Sequence, residues 1–366
     1  MRLRVGVVGG GIVAQAMHLH HLAARRDLFE LVGLAEPSAT VREALGARYG
    51  IAGLHPHYGG LLDKGELDAL LVCSPAGTHA EVVLAALDAS IHVFVEKPLC
   101  ITLADADAIV AARERTGRVV QVGTMKRFDP AYERMLEELP ETATSLRYVS
   151  VVVNDPEFVP YFRPGEIVRG SDVSDEVLEA TRRAEAEQVE AAVGSGAPDV
   201  VRAFSESFLG SLVHDVNLVH GLLERMHEPL PPDVIDGDWW NEGRAVNGSV
   251  RLANGARWDN AWIQLLDTRE YHESVSLFFA DSIRSLTFPS PWLKQYPTVY
   301  RRSERGGETN VVCIAESYEE SFARELEHFH RCVTEGEACR TPPEQARLDM
   351  EVLTQMFRAS HTEGTT

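Results

Sequence analysis

Lys97 follows the apolar run His92-Val-Phe-Val-Glu96 and precedes Pro98. A cation there sits at the carboxyl end of a buried strand, the edge at which doubly wound α/β sheets bind ligands. It can stabilise a developing alkoxide, and Pro98 biases it toward extended backbone as the chain leaves the sheet. A second set lies in Ser211-Leu-Val-His214-Asp-Val-Asn217-Leu-Val-His220-Gly-Leu-Leu. On a helix, His214, Asn217 and His220 sweep only about 120° of the circumference, with Leu212, Val216, Leu218, Val219, Leu222 and Leu223 mostly opposite. Two imidazoles and a carboxamide then share one space, and imidazole is a general base suited to neutral pH.

A third set is the loop Val5-Gly-Val-Val-Gly9-Gly10-Gly11-Ile12-Val13-Ala14. Gly9 permits a tight turn, Gly11 lets a pyrophosphate approach the backbone, and Ala14 is small where helix meets strand. The helix opening at Ile12 and Val13 turns its amides toward phosphate. Glu36 ends the next apolar run, where an acid accepts hydrogen bonds from an adenosine ribose and repels a 2′-phosphate. This predicts NAD rather than NADP as cofactor; the plainer alternative is a Glu capping the helix that begins near Ser38. Arg42 is the nearest following arginine.

The elements that must hold these groups follow from the hydrophobic pattern. Strands are predicted at Leu3–Val8, Leu31–Ala35, Ala69–Cys73, His92–Val95 and Val119–Val122. Helices alternate with them at Ile12–Arg26, Ala39–Tyr49, Glu81–Ala89 and Leu103–Thr116. Near-continuous apolar strands between helices indicate a parallel sheet covered on both faces. Beyond Gly123 the rhythm changes. A helix (Pro130–Leu139) and a long strand (Leu146–Val153) precede an acidic, helix-prone block over 154–206, which contains a helix at Glu176–Val193. A helix at Leu212–Arg225, strand-like residues from Val234 to Val312 and two closing helices complete an α+β region. The expected domains are 1–122 for cofactor and 123–366 for substrate and self-association, with 155–206 as a lid-like insertion.

The 366 residues carry 55 acidic and 35 basic side chains, a net charge of −20. That acidity argues against nucleic acid or an anionic membrane surface as partner. Only four lysines occur, Lys64, Lys97, Lys126 and Lys294, so each merits attention. The cysteines Cys73, Cys100, Cys313, Cys332 and Cys339 are scattered without a C-x-x-C pair, so neither a disulfide framework nor a metal site is expected. His18, His20 and His21 lack metal-ligand partners at suitable spacing. The start, with its basic residues and apolar stretch, superficially copies a secretory signal. It is broken by three glycines and runs directly into the α/β pattern, which favours a cytoplasmic location. Trp239, Trp240, Trp258 and Trp262 are expected to pack the sheet.

Val95-Glu96-Lys97-Pro98-Leu99 resembles the signature of the Gfo/Idh/MocA family of NAD(P)-dependent oxidoreductases. The Gly9-Gly10-Gly11 loop, Cys73-Ser74-Pro75-Ala-Gly-Thr78-His79 and Gln121-Val-Gly-Thr-Met125-Lys126-Arg127-Phe128-Asp129-Pro130 match that family's pattern as well. The resemblance implies an α/β Rossmann domain followed by an α+β domain with an open-faced, mostly antiparallel sheet. It also implies homodimers or homotetramers formed through that sheet, and a sugar, cyclitol or related polyol as substrate. By the same resemblance Cys73, Ser74, Pro75, His79, Glu96 and Lys97 join the cofactor-binding set, and His220 matches the catalytic histidine. Lys126, Arg127 and His214 become substrate-binding candidates. Asn217 stands where such enzymes typically carry Asp; it orients without supplying charge. Another carboxylate, Asp215 or one from the 155–206 block, would then be needed. The expected chemistry is dehydrogenation of a secondary alcohol, with His220 as base and Lys97 on the oxygen. Two alternatives remain: a non-catalytic NAD-binding regulator, and an enzyme that uses transient oxidation for elimination or glycoside cleavage.

Overall fold

The computed structural model describes residues 1–63, 67–156, 161–163, 165–294 and 296–360. Lys64, and residues 157–160 and 164 of the expected insertion, lie outside the described residues.

The chain forms two compact units, and the first is assembled from Met1–Gly123, Phe162–Ala191 and Phe322–Arg347. Its parallel sheet comprises β1 (Leu3–Val8), β2 (Phe29–Ala35), β3 (Gly53–His55), β4 (Ala69–Val72), β5 (His92–Glu96) and β6 (Val120–Gly123) in the order 3-2-1-4-5-6. This is the order of a two-halved dinucleotide fold, with its crevice where the order reverses beside β1. A turn of wide π-type helix, Ala14–His18, leads into α1 (Leu19–Ala24). α2 (Ala39–Tyr49), α3 (Gly59–Leu62), α4 (His79–Asp88) and α5 (Leu103–Thr116) follow. Ser38 caps α2 and Thr102 caps α5 through their side-chain oxygens, and Gly50 and Gly117 end those helices in the left-handed conformation. The short β3 went unpredicted because three residues, all half-buried, give no readable period.

The first unit does not end at β6. A later helix contributes Leu326 and Phe329 to a core that contains Leu3, Val5, Val7, Leu34 and Phe94. Val122 and Thr341 exchange hydrogen bonds along the free edge of β6. A single cut near residue 122 therefore misses two returning segments. Their amphipathic pattern shows an apolar face without showing what it covers.

The second unit takes Thr124–Tyr161, Ala192–Ser321 and the chain from Leu348. Its helices include α6 (Pro130–Glu138), capped by Asp129 with Pro130 in the first turn. α7 (Asp175–Val193) runs from the first unit's segment into the second. α8 (Pro198–Val201) continues through a wide-turn helix, Arg202–Leu212, into α9 (Val213–Arg225). That wide-turn stretch falls partly in the block read as acidic and helix-prone; its buried Ala203, Phe204, Phe208 and Leu209 hold it in place. An eight-stranded sheet contains β7 (Leu146–Pro156), β8 (Asp233–Trp240), β9 (Ala245–Arg251) and β10 (Arg257–Leu265). β11 (His272–Phe279), β12 (Ser282–Phe288), β13 (Thr298–Gly306) and β14 (Thr309–Ser317) complete it. The order is 14-13-12-11-7-10-9-8, and only the β7–β10 pair is parallel. β9 and β10 are antiparallel and meet through a turn at Asn254-Gly255, with Gly255 at φ +85°. α10 (Ser321–Glu335) and α11 (Pro343–Ala359) follow. Among the described residues no helix is long and apolar enough to cross a membrane.

Candidate active site

The glycine turn is built as its residues dictate. Gly9 adopts φ +91°, and a Cβ there would lie 2.6 Å from the Cys73 carbonyl oxygen, so backbone geometry and β4 both require glycine. Above Gly11 a Cβ would meet nothing within 4 Å, which leaves open space where a pyrophosphate would approach. Ile12 and Val13 are half-buried at the helix start. Glu36 bridges two turns: Oε2 accepts from Gly10 N (2.8 Å) and Oε1 from Ser38 N (2.9 Å). The capping role and the ribose role are compatible, because each carboxylate oxygen keeps a further lone pair. The turn, the space over Gly11 and this acid fit a dinucleotide.

Around β4, Ser74 and Thr78 hydroxyls pair at 2.7 Å, and Thr78 Oγ1 donates to the Pro75 carbonyl. The buried His79 spans Ser74 O and Pro98 O, at 2.8 Å each, tying the β4 loop to the segment after Lys97. Burial lowers its pKa, although only the imidazolium donates to both carbonyls. Cys73 is half-buried beside Gly9. Lys97 is half-buried at the end of β5, and its peptide to Pro98 is cis.

Glu96 turns inward. Its Oε1 accepts from Nε2 of the fully buried His18 (2.6 Å) and its Oε2 from Lys97 N (3.1 Å). Burial pushes its pKa up, and the bond and charge of His18 together with Lys97 more than reverse this, holding it below the usual carboxylate value. Its side chain therefore supports Lys97 from beneath.

In the second unit, α9 brings His220 and Asn217 to one carboxylate that sequence reasoning missed. His220 Nδ1 donates to Asp349 Oδ1 (2.6 Å), and Asn217 Nδ2 donates to Asp349 Oδ2 (2.7 Å). Asp349, on α11, supplies the charge that Asn217 lacks, in place of Asp215 or the 155–206 block. His220 is fully buried, lies edge-on to Trp258 with centroids 5.6 Å apart, and makes no hydrogen bond through Nε2. His214, at the start of α9, is half-buried.

Asp215 is committed elsewhere. It accepts from Lys126 Nζ (3.0 Å), which also pairs with Glu273, and Tyr271 donates to the far oxygen of Glu273 (2.5 Å). Burial lowers the Lys126 pKa and raises that of Asp215, each opposed by the other's charge. Arg127 donates to the Asn217 carbonyl (3.1 Å) and lies over the Tyr132 ring. A Cβ on Gly221 would come within 2.2 Å of its guanidinium carbon. Both cations proposed for substrate are therefore only about 5% exposed and tied into the unit's interior. Trp239 stacks on Phe357, Trp258 and Trp262 are buried, and Trp240 is exposed.

The cysteines are less scattered in space than in sequence. On α10 and the turn after it, His328 Nε2 lies 3.2 Å from Cys332 Sγ, and Cys339 joins them within 4.8 Å. A hydrogen bond from Cys339 and the neighbouring imidazole pull the Cys332 thiol down to about 5. The H-x3-C spacing of one helical turn was the available signal. His18, Glu96 and Glu325 form a second such group.

Residues 3–124 match the family model described as the Gfo/Idh/MocA oxidoreductase family, NAD-binding Rossmann fold. This likeness to the Gfo/Idh/MocA family lies in the first third of the chain. The inositol 2-dehydrogenase 3 of Saccharopolyspora erythraea is 39% identical over 142 residues, which span 37% of this chain and 40% of that one. The myo-inositol 2-dehydrogenase of Thermotoga maritima is 26% identical over 94% of this chain and 92% of its own. The chain thus matches 40% of the length of its first curated relatives and nearly all of the Thermotoga protein. Among solved structures, a 3-ketoreductase from Actinomadura kijaniata in complex with NADP and TDP-benzene superimposes with TM-score 0.73. It shares 18% identity, with 98% of each chain covered. The UDP-N-acetylglucosamine 3-dehydrogenase of Acidithiobacillus ferrooxidans gives 0.71 at 18% identity, over 99% of each chain. The likeness to these solved structures extends over both units and shows their fold.

Proposed function

We propose that this protein is an NAD-dependent dehydrogenase that interconverts a secondary alcohol and a ketone on a sugar, cyclitol or related polyol. The observation that carries the reading is Lys97, a half-buried ammonium at the carboxyl edge of the sheet whose first turn leaves Gly11 open and carries Glu36. The inositol dehydrogenases among its relatives support a cyclitol or sugar. NAD, when bound, supplies the hydride acceptor. Lys97 donates to the substrate oxygen and stabilises the negative charge that grows there as hydride departs. An imidazole of α9 takes the hydroxyl proton, so that alcohol yields ketone, hydride and a proton. His220 is fully buried and His214 half-buried, and on that difference we assign proton transfer to His214. His220, Asn217 and Asp349 then act as positioning residues that fix α9 against α11. A cytoplasmic location, where thiols stay reduced, goes with this reading.

The test is Lys97→Met assayed on a panel of polyols with NAD. Turnover should fall by about 10² to 10³, with NAD affinity preserved in equilibrium titration. Full turnover in that variant overturns the assignment.

A further inference from the structure

Part of the segment read as a lid-like insertion runs with the cofactor unit where it is described. Residues Phe162–Ala191 belong to the cofactor unit, and they lie along its dinucleotide turn. Gln15, nearly buried on the first helix, holds them in place. Its Oε1 accepts from Val168 N (2.9 Å), while its Nε2 donates to Val168 O (2.9 Å) and to Gly10 O (2.7 Å). Two residues on, Gly170 passes so close to Ser38 that a Cβ would lie 2.0 Å from the serine hydroxyl oxygen. The chain then delivers Asp172 to the start of α2: Oδ1 accepts from Ser38 Oγ (2.5 Å) and Oδ2 from Thr40 N (3.0 Å). Farther along, Gln188 Nε2 donates to Gly77 O (2.7 Å), tying α7 to the loop after β4.

We propose that Asp172 is a cofactor-specificity residue, a second carboxylate beside Glu36 that makes the adenosine end of the site refuse a 2′-phosphate. This rests on the dinucleotide reading and extends it. A 2′-phosphate at the end of β2 needs free N–H donors from the first turn of α2 and a cation. Here the donors are consumed. Ser38 N serves Glu36, Ser38 Oγ and Thr40 N serve Asp172, and Val41 N serves Ser38 Oγ. Arg42, the nearest following arginine in sequence, has its guanidinium turned onto the Glu36 and Pro37 carbonyl oxygens. The hydrogen bonds from Ser38 and Thr40 hold Asp172 down to about 2, so it is ionised at any pH at which the protein works. Two fixed negative charges and spent donors repel a phosphate, while the ribose hydroxyls of NAD still find carboxylate oxygens to donate to. The space over Gly11 stays clear, so the segment borders the pyrophosphate position without filling it.

The experiment is equilibrium titration of the full chain with NAD, NADH, NADP and NADPH, using intrinsic fluorescence or calorimetry. Wild type, Asp172→Asn, Asp172→Ser and Glu36→Ser are compared. Asp172→Asn removes the charge while keeping one acceptor, so a loss of fold in Asp172→Ser does not decide the matter. Wild type should bind NAD well above NADP. Asp172→Asn should tighten NADP binding by about tenfold, the scale of one like-charge contact near a protein surface, and so lower the ratio of NAD to NADP affinity. Unchanged NADP affinity in both Asp172 variants, with Glu36→Ser alone admitting NADP, overturns the proposal. A wild type that prefers NADP overturns it too. A wild type that binds no dinucleotide overturns the functional reading beneath it.

Discussion

At the scale of residues, one carboxylate changes how the polar face of α9 is understood. The helix was readable from spacing, and so was the inward set His214, Asn217 and His220. Asp349 was not, because it lies 129 residues beyond His220 and nothing in Leu348-Asp349-Met350 marks it locally. With it in place, His220 and Asn217 become the ends of one buried network, and only His214 keeps exposure on that face. Two substitutions should therefore separate chemistry from positioning. His214→Ala should lower kcat/KM for alcohol oxidation by about 10² or more and remove the acid-side limb of its pH profile. Asp349→Ala should leave that limb in place while lowering the melting temperature, since it strands two buried donors at roughly 1–3 kcal/mol each. Loss of the limb in a His220→Asn variant, with His214→Ala retaining it, returns the base to His220.

At the scale of elements, legibility followed burial pattern. The strands of the parallel sheet read through because each is apolar on both faces, and capped helices such as α2 and α5 read through because Ser38 and Thr102 mark their starts. What stayed hidden was pairing between distant segments: the return of α10 to the first core, and the run of 165–172 along the glycine turn. The end of β5 shows how such a hidden partner acts. Glu96 was taken as part of the cofactor set, yet its partner is His18 on the first helix. Its folded pKa lies below the usual value, so the pair contributes stability that is present above the unfolded pKa, ~4.3, and disappears as pH falls through the folded one. Thermal melts from pH 7 down to pH 3 should show wild type losing its advantage over Glu96→Gln below about pH 4.5. Parallel profiles for the two proteins would show that the pair contributes nothing to folding.

At the scale of the molecule, the eight-stranded sheet has one face to spare. Along it the register aligns Val152 with Ser274, Thr287, Val299 and Glu316. The same alternation puts Ile283, Val312 and Ile314 on that side, and these three, with Val152, are exposed. The opposite side carries the buried Val149, Val151, Val275, Leu277, Leu286 and Tyr300, so the sheet already has its core. Branched apolar side chains on the second face of an antiparallel sheet gain from being covered, each worth about 1.5–3 kcal/mol when fully buried. We propose that a second copy of this chain covers them, face against face, as a two-fold pair in which the same patch serves both partners. Light scattering on the eluting protein should give a dimer or a multiple of one. The double variant Val152→Asp with Ile314→Asp should elute as a monomer with unchanged NAD affinity, because neither position belongs to the unit that carries the glycine turn. A monomeric wild type, or a double variant that stays dimeric, would move self-association to another surface and leave this face to water.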